Sequence, residues 1–151
     1  MIIYLPWTPN PKGTPTFVLD AEVTVGWRVP LPGSGYPSAV LGRMTRAVAV
    51  VPECWFLHVA ERVRGCVRLK QLTVAQATQF FTDLPSFAIW VDNETMLRGW
   101  SDTFSLARTH NIAVDAAAYL ELALRLNLPL ATTDATLLRA ASAAGVPIFT
   151  P

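Results

Sequence analysis

Apolar and polar positions alternate along this chain in blocks that change period, and the blocks predict strands and helices in turn. Residues 16–20 (TFVLD) form a short apolar, partly β-branched run that predicts a buried strand ending on a carboxylate. A short helix is expected over 21–27, then a Pro/Gly loop over 28–37 and a weak helix over 38–47. Val48–Val51 is a brief apolar run. From Pro52 to Lys70, Trp55, Phe56, Val59, Val63, Cys66 and Val67 recur at helical spacing, with His58, Glu61, Arg64 and Arg68 opposite. Thr73 is placed to cap a second helix carrying Val74, Ala77, Phe80 and Phe81, which makes an αα-hairpin. A strand at 87–91 (FAIWV) precedes a helix capped by Asn93 and running over 94–109. Another helix opens at Asp115 or Ala116, with Tyr119, Leu122 and Leu126 inward and Glu121–Arg125 as a surface pair. Residues 130–134 (LATTD) predict a strand that again ends on Asp, followed by a helix over 135–144 stopped by Gly145, and a last strand over 146–150.

Strands alternating with helices call for a parallel sheet covered on both faces, a three-layer α/β/α sandwich. Before it, residues 1–15 carry Pro6, Pro9, Pro11, Pro15 and Gly13, too dense a punctuation for a helix or a central strand. The division expected is therefore a Pro-rich N-terminal arm over 1–15 and one domain over 16–151.

Composition narrows the class. At 151 residues, 52% apolar and 15% charged, the chain can bury one hydrophobic core and is not disordered over most of its length. Its 12 basic and 11 acidic residues leave a net charge of +1, so no global field draws it to nucleic acid or membrane. Any RNA contact must come from a local basic patch or from metal ions. Cys54 and Cys66 stand about 18 Å apart if both lie on one helix, too far for a disulfide. Free thiols suit a reducing cytoplasm, and the spacing is no zinc signature. The apolar start, MIIYLPW, is too short and lacks the basic flank of a leader or a membrane span.

The chemistry lies in the two matching strand ends. In an open parallel sheet, ligands bind at the carboxyl ends of the strands, which would put Asp20 and Asp134 at one edge, with Asp115 near enough to join them. Clustered carboxylates are tolerated with a cation between them or with shifted pKa values, and oxygen ligands favour Mg²⁺ or Mn²⁺. Such ions polarise a phosphodiester and activate water. Each aspartate has a plainer reading as the N-cap of the following helix.

Residues 105–149 (SLARTHNIAVDAAAYLELALRLNLPLATTDATLLRAASAAGVPIF) resemble the C-terminal half of VapC-type PIN-domain proteins. FVLDAEVTVGW at 17–27 is similar to their opening strand, and VVPECWFLHVAERV at 50–63 to their V-P-x-x-W-x-x-E-V-A-N segment. The resemblance implies a PIN-like α/β/α sandwich. It further implies an Mg²⁺- or Mn²⁺-dependent endoribonuclease acting as a toxin, held by a cognate antitoxin and usually homodimeric. Asp20 matches the family's first acid and Asp134 the acid after its penultimate strand, with Thr132 and Thr133 in the usual threonine run.

Two acidic positions depart. The family's glutamate falls on His58, and the asparagine three residues later on Glu61; the acid of Y-D-A-A-Y-L-E-L-A falls on Ala116, with Asp115 in the tyrosine's place. Glu22 adds a carboxylate two residues after Asp20, where Ser or Thr is common. The site expected is thus Asp20 and Asp134, with Asp115 and Glu22, and with His58 and Glu61 as further candidates; His58 as a ligand would favour Mn²⁺. Arg28, Arg43 and Arg46 are candidate phosphate contacts. The competing expectation is a degenerate PIN domain that binds protein or RNA without cutting.

Overall fold

The computed structural model describes residues 11–151, so the first ten residues of the expected arm lie outside the described residues. Four strands form one parallel sheet in the order β3-β2-β1-β4: β1 (Phe17–Leu19), β2 (Ala49–Pro52), β3 (Ile89–Asp92) and β4 (Leu130–Ala131). Helices α1 (Ala21–Gly26) and α2 (Tyr36–Arg43) follow β1. An αα-hairpin, α3 (Trp55–Arg68) and α4 (Val74–Asp83), follows β2. Between β3 and β4 come α5 (Thr95–Arg98), a π-helical turn (Gly99–Thr103), α6 (Phe104–His110) and α7 (Val114–Leu126); α8 (Ala135–Ala144) follows β4. The α/β sandwich with a central parallel sheet is the fold that forms.

β1 is central, and all three of its side chains are fully buried, as an apolar strand covered on both faces requires. Its register places Phe17 and Val18 beside Ala49 and Val50 of β2, and Val18 and Leu19 beside Leu130 and Ala131 of β4. The chain leaves β1 towards β2 on one side, while β4 returns on the other. The crevice at the carboxyl ends of β1 and β4 is therefore the switch point at which parallel sheets take their ligands.

Local chemistry sets most boundaries. The Thr73 side chain accepts from the Gln76 amide while the Gln76 side chain accepts from the Thr73 amide, a complete capping box that starts α4. α7 ends on Asn127 and α8 on Gly145, both left-handed. Gly26 closes α1 where a Cβ would stand 2.7 Å from Pro37 Cβ, so α1 and α2 meet backbone to ring.

Several expectations are corrected. Pro52 does not open a helix; it ends β2, and α3 begins at Trp55. Asn93 does not cap the following helix: Asp92 accepts from the Glu94 amide and the Thr95 hydroxyl instead. The helix over 94–109 is three pieces because of the π-helical turn. The last strand contracts to one bridge, Leu130 with Ile148, flanked by Pro147 and Pro151, which have no N–H to extend it. Glu121–Arg125 is not a surface pair. Arg125 donates to both oxygens of Asp92 at 3.0 and 2.8 Å and to Glu121 at 2.8 Å, and Glu121 is buried. Trp55 is core, whereas Trp100 is fully exposed, and Trp7 lies outside the described residues.

Candidate active site at the carboxyl edge of the sheet

The end of β1 places Asp20 at the N-cap position of α1, yet its side chain makes no capping hydrogen bond. It is buried, and its Oδ2 accepts the Thr132 hydroxyl at 2.7 Å. Burial pushes the Asp20 pKa up to about 6; the Thr132 bond and the Arg62 charge pull it down, Glu22 pushes it up, and the Glu22 amide lowers it slightly without closing a cap. A carboxylate held this way is short of positive charge.

Asp134 is a true helix cap: its Oδ1 accepts from the Leu137 amide at 2.8 Å. The Asp134 amide donates to the Thr132 hydroxyl oxygen at 3.1 Å, so one threonine holds both segments in register. Asp134 Oδ2 makes no hydrogen bond among the described residues, and the Asp20 carboxylate has, beyond Thr132, only the weak backbone contribution of Glu22. Both aspartates line one cleft of about 560 Å³, together with His58, Glu61, Arg62, Asp115, Ala116 and Tyr119.

The other expected residues are distributed around this pair. His58 is half-buried rather than on a solvated face. Its Nδ1 lies 2.9 Å from the Tyr119 hydroxyl and its Nε2 lies 3.3 Å from Asp115 Oδ2. Burial holds the imidazole below its ordinary value; Asp115 raises it and Arg62 lowers it further. Burial first, then the Asp20 charge, raises the Tyr119 pKa, and with the Asp115 carboxylate accepting at Nε2 a neutral His58 leaves Nδ1 to accept from the Tyr119 hydroxyl. Nε2–H then faces Asp115, and both ring nitrogens are engaged. Asp115 stands exposed at the rim, its Oδ1 accepting from the Ala116 amide at 2.8 Å. Glu61 also reaches the rim but is exposed and forked by Arg64 at 2.8 and 2.6 Å. Glu22 does not line the cleft; it faces Arg62 at 3.5 Å. Arg28, Arg43 and Arg46 do not line it either. Burial and the nearby Asp115 push the Cys54 thiol up to about 11, which disfavours its thiolate.

The donor set suits a hard, hydrated cation. Mg²⁺ is commonly held by one or two carboxylates, with waters and substrate phosphates completing its coordination. Asp20 and Asp134 line one cleft and are the carboxylates that would hold such an ion, and a cation there would relieve the burial that raises Asp20. It is not a closed protein cage: no group of three or more His, Cys, Asp or Glu among the described residues is arranged to hold a metal.

Sequence reasoning missed two features. Arg62 was unremarked, although its place one turn after His58 puts it on the same face of α3. Asp92 is a third aspartate at a strand end, visible as IWVD, but Arg125 neutralises it.

A four-stranded parallel sheet between helices is a PIN-like α/β fold. The chain matches FitAcB from Neisseria gonorrhoeae, known from a crystal structure, with a TM-score of 0.56 and 22% identity over 90% of this chain and 98% of that one. No family model and no curated protein sequence matches the chain. Among the described residues no helix is long and apolar enough to cross a membrane.

Proposed function

We propose that this chain is a divalent-metal-dependent endoribonuclease of the VapC toxin type, with Asp20 and Asp134 as the residues that hold Mg²⁺ or Mn²⁺. One observation carries the proposal. Asp20 is buried at a helix N-cap position, makes no cap, and opens with Asp134 into one cleft at the sheet's switch point. The fold shared with FitAcB and the resemblance of residues 105–149 support it. When bound, the ion supplies polarisation of the phosphodiester and activation of water. Thr132 orients Asp20 through its hydroxyl and tethers Asp134 through its amide. Tyr119 and Asp115 fix the His58 ring on the cleft wall, Asp115 adds negative charge at its rim, and Glu22 stands behind Arg62. The partner expected is an antitoxin-like protein whose apolar helix fits the recess lined by Trp55, Val59, Phe81 and Leu84 between α3 and α4. The working form expected is a cytoplasmic homodimer.

A second reading has its own observation. Ala116 lines the cleft where the resemblance calls for an acid, which favours a domain that binds RNA or protein without cutting. Single-stranded RNA incubated with the protein and Mn²⁺ or Mg²⁺ separates the two. Cutting by the wild type that disappears in Asp20→Asn supports the nuclease; intact RNA with both metals supports the binding module. Equal cutting by the variant refutes the assignment of Asp20.

A further inference from the structure

The arginines near this end of the molecule are used in different ways. Arg64 is forked onto Glu61, Arg98 bonds Glu94 at 2.8 Å and Asp102 at 3.1 Å, and Arg125 is saturated by Asp92 and Glu121. Arg62 differs. Its one ion pair, with Glu22, is 3.5 Å long and is not a hydrogen bond, and its side chain is 47% exposed, so most of its donors are free among the described residues. A pair so long and so open contributes little to stability. Yet Arg62 lines the same cleft as Asp20 and Asp134, and its charge is felt by Asp20 and by His58.

We infer that Arg62 is the side chain that grips an RNA phosphate in this cleft, held ready by its loose pairing with Glu22. This rests on RNA being what the cleft takes, as proposed above. A guanidinium presents a planar fork that fits phosphate oxygens two at a time. In a chain of net charge +1, one such group beside the carboxylates supplies the local attraction that the overall charge does not. Glu22 is close enough to keep the guanidinium at the cleft and too far to occupy it. Arg62 then sets where the backbone of the strand lies relative to Asp20 and Asp134, and so acts as a positioning residue.

The test uses the full chain, Arg62→Ala and Arg62→Lys, and a fluorescein-labelled single-stranded oligoribonucleotide of mixed sequence. Anisotropy is read over a salt series in EDTA, so that no cutting confounds binding. Losing one phosphate contact lowers the slope of log affinity against log salt by about 0.7 for a single strand. Arg62→Ala is expected to show that drop and weaker binding while melting at the wild-type temperature. Arg62→Lys is expected to keep the slope, with weaker binding from the lost fork. An unchanged slope and affinity in Arg62→Ala, or no salt-dependent binding by the wild type, overturns the inference. Cleavage measured in parallel with Mn²⁺ separates it from the nuclease proposal. A slope lost with no cutting keeps Arg62 as a phosphate contact in a non-cutting domain. Cutting with an unchanged slope removes Arg62 and keeps the nuclease.

Discussion

The Thr132 hydroxyl donates to Asp20 at 2.7 Å across 112 residues of chain and is what joins the two strand-end aspartates into one site. The same oxygen accepts from the Asp134 amide, so a single buried atom is bonded on both sides. Thr132→Val keeps the shape and removes both bonds. It is expected to cost about 1–3 kcal/mol in urea denaturation, because it leaves buried polar groups unpaired. It should also move the Asp20 titration, followed by carboxyl NMR, to higher pH, since that bond lowers the Asp20 pKa.

Asp20 gives the stability a pH signature with the opposite sign from an ordinary paired carboxylate. Its folded pKa of about 6 lies above the ordinary value of 3.8, so between those values this carboxyl holds more protons in the native state than in the unfolded one. In EDTA, the Asp20 contribution to stability, read as wild type minus Asp20→Asn, should therefore be highest below about pH 4 and fall until about pH 6, by at most about 3 kcal/mol, then level off. Asp20→Asn should melt higher than wild type at pH 7.5. A difference between wild type and Asp20→Asn that rises with pH over this interval would contradict the burial assigned to Asp20.

Arg125 balances two carboxylates that burial alone would destabilise. Burial raises the Asp92 pKa, but the bonds from Arg125 and Thr95 outweigh it and hold it below the usual carboxylate range. Arg125→Ala leaves Asp92 without its cation, while Glu121 keeps only the longer Arg98 pairing at 3.6 Å. It is expected to lower stability by about 3–5 kcal/mol at neutral pH. The loss should shrink as the pH falls and the carboxylates protonate.

Gly26→Ala probes the seam between the first two helices. Its Cβ would meet Pro37 Cβ at 2.7 Å and Cγ at 2.8 Å, and neither ring atom can swing away. Destabilisation of about 1–3 kcal/mol is expected from urea unfolding. Gly65→Ala, where a Cβ would meet nothing within 4 Å, should instead gain up to about 1 kcal/mol in helix propensity.

These residues also show what a sequence can and cannot convey. FVLD and LATTD could be read as strand ends because an apolar run stopped by Asp is a local pattern, and both aspartates do line one cleft. The adjacency of β1 and β4 is a matter of topology, which no local pattern carries. IWVD is the same pattern, but only the fold reveals that Arg125, 33 residues on, takes up its charge. Periodicity placed His58 on an outer face, whereas α7 brings Tyr119 against it. Glu121 and Arg125 were misplaced for a similar reason: spacing of four describes a helix surface and is silent about what packs on it. Val146–Thr150 looked like a strand by composition, and its prolines cut it to one bridge.

The account stands on Asp20 and Asp134 acting together on one cation. Titration calorimetry with Mn²⁺ on the wild type, Asp20→Asn, Asp134→Asn and the double variant tests that directly. The expected result is a single site in the wild type, weakened by either substitution, with the double variant little worse than the poorer single one. Mn²⁺ binding that is unaffected by both substitutions, or no binding by a folded wild type, would contradict it.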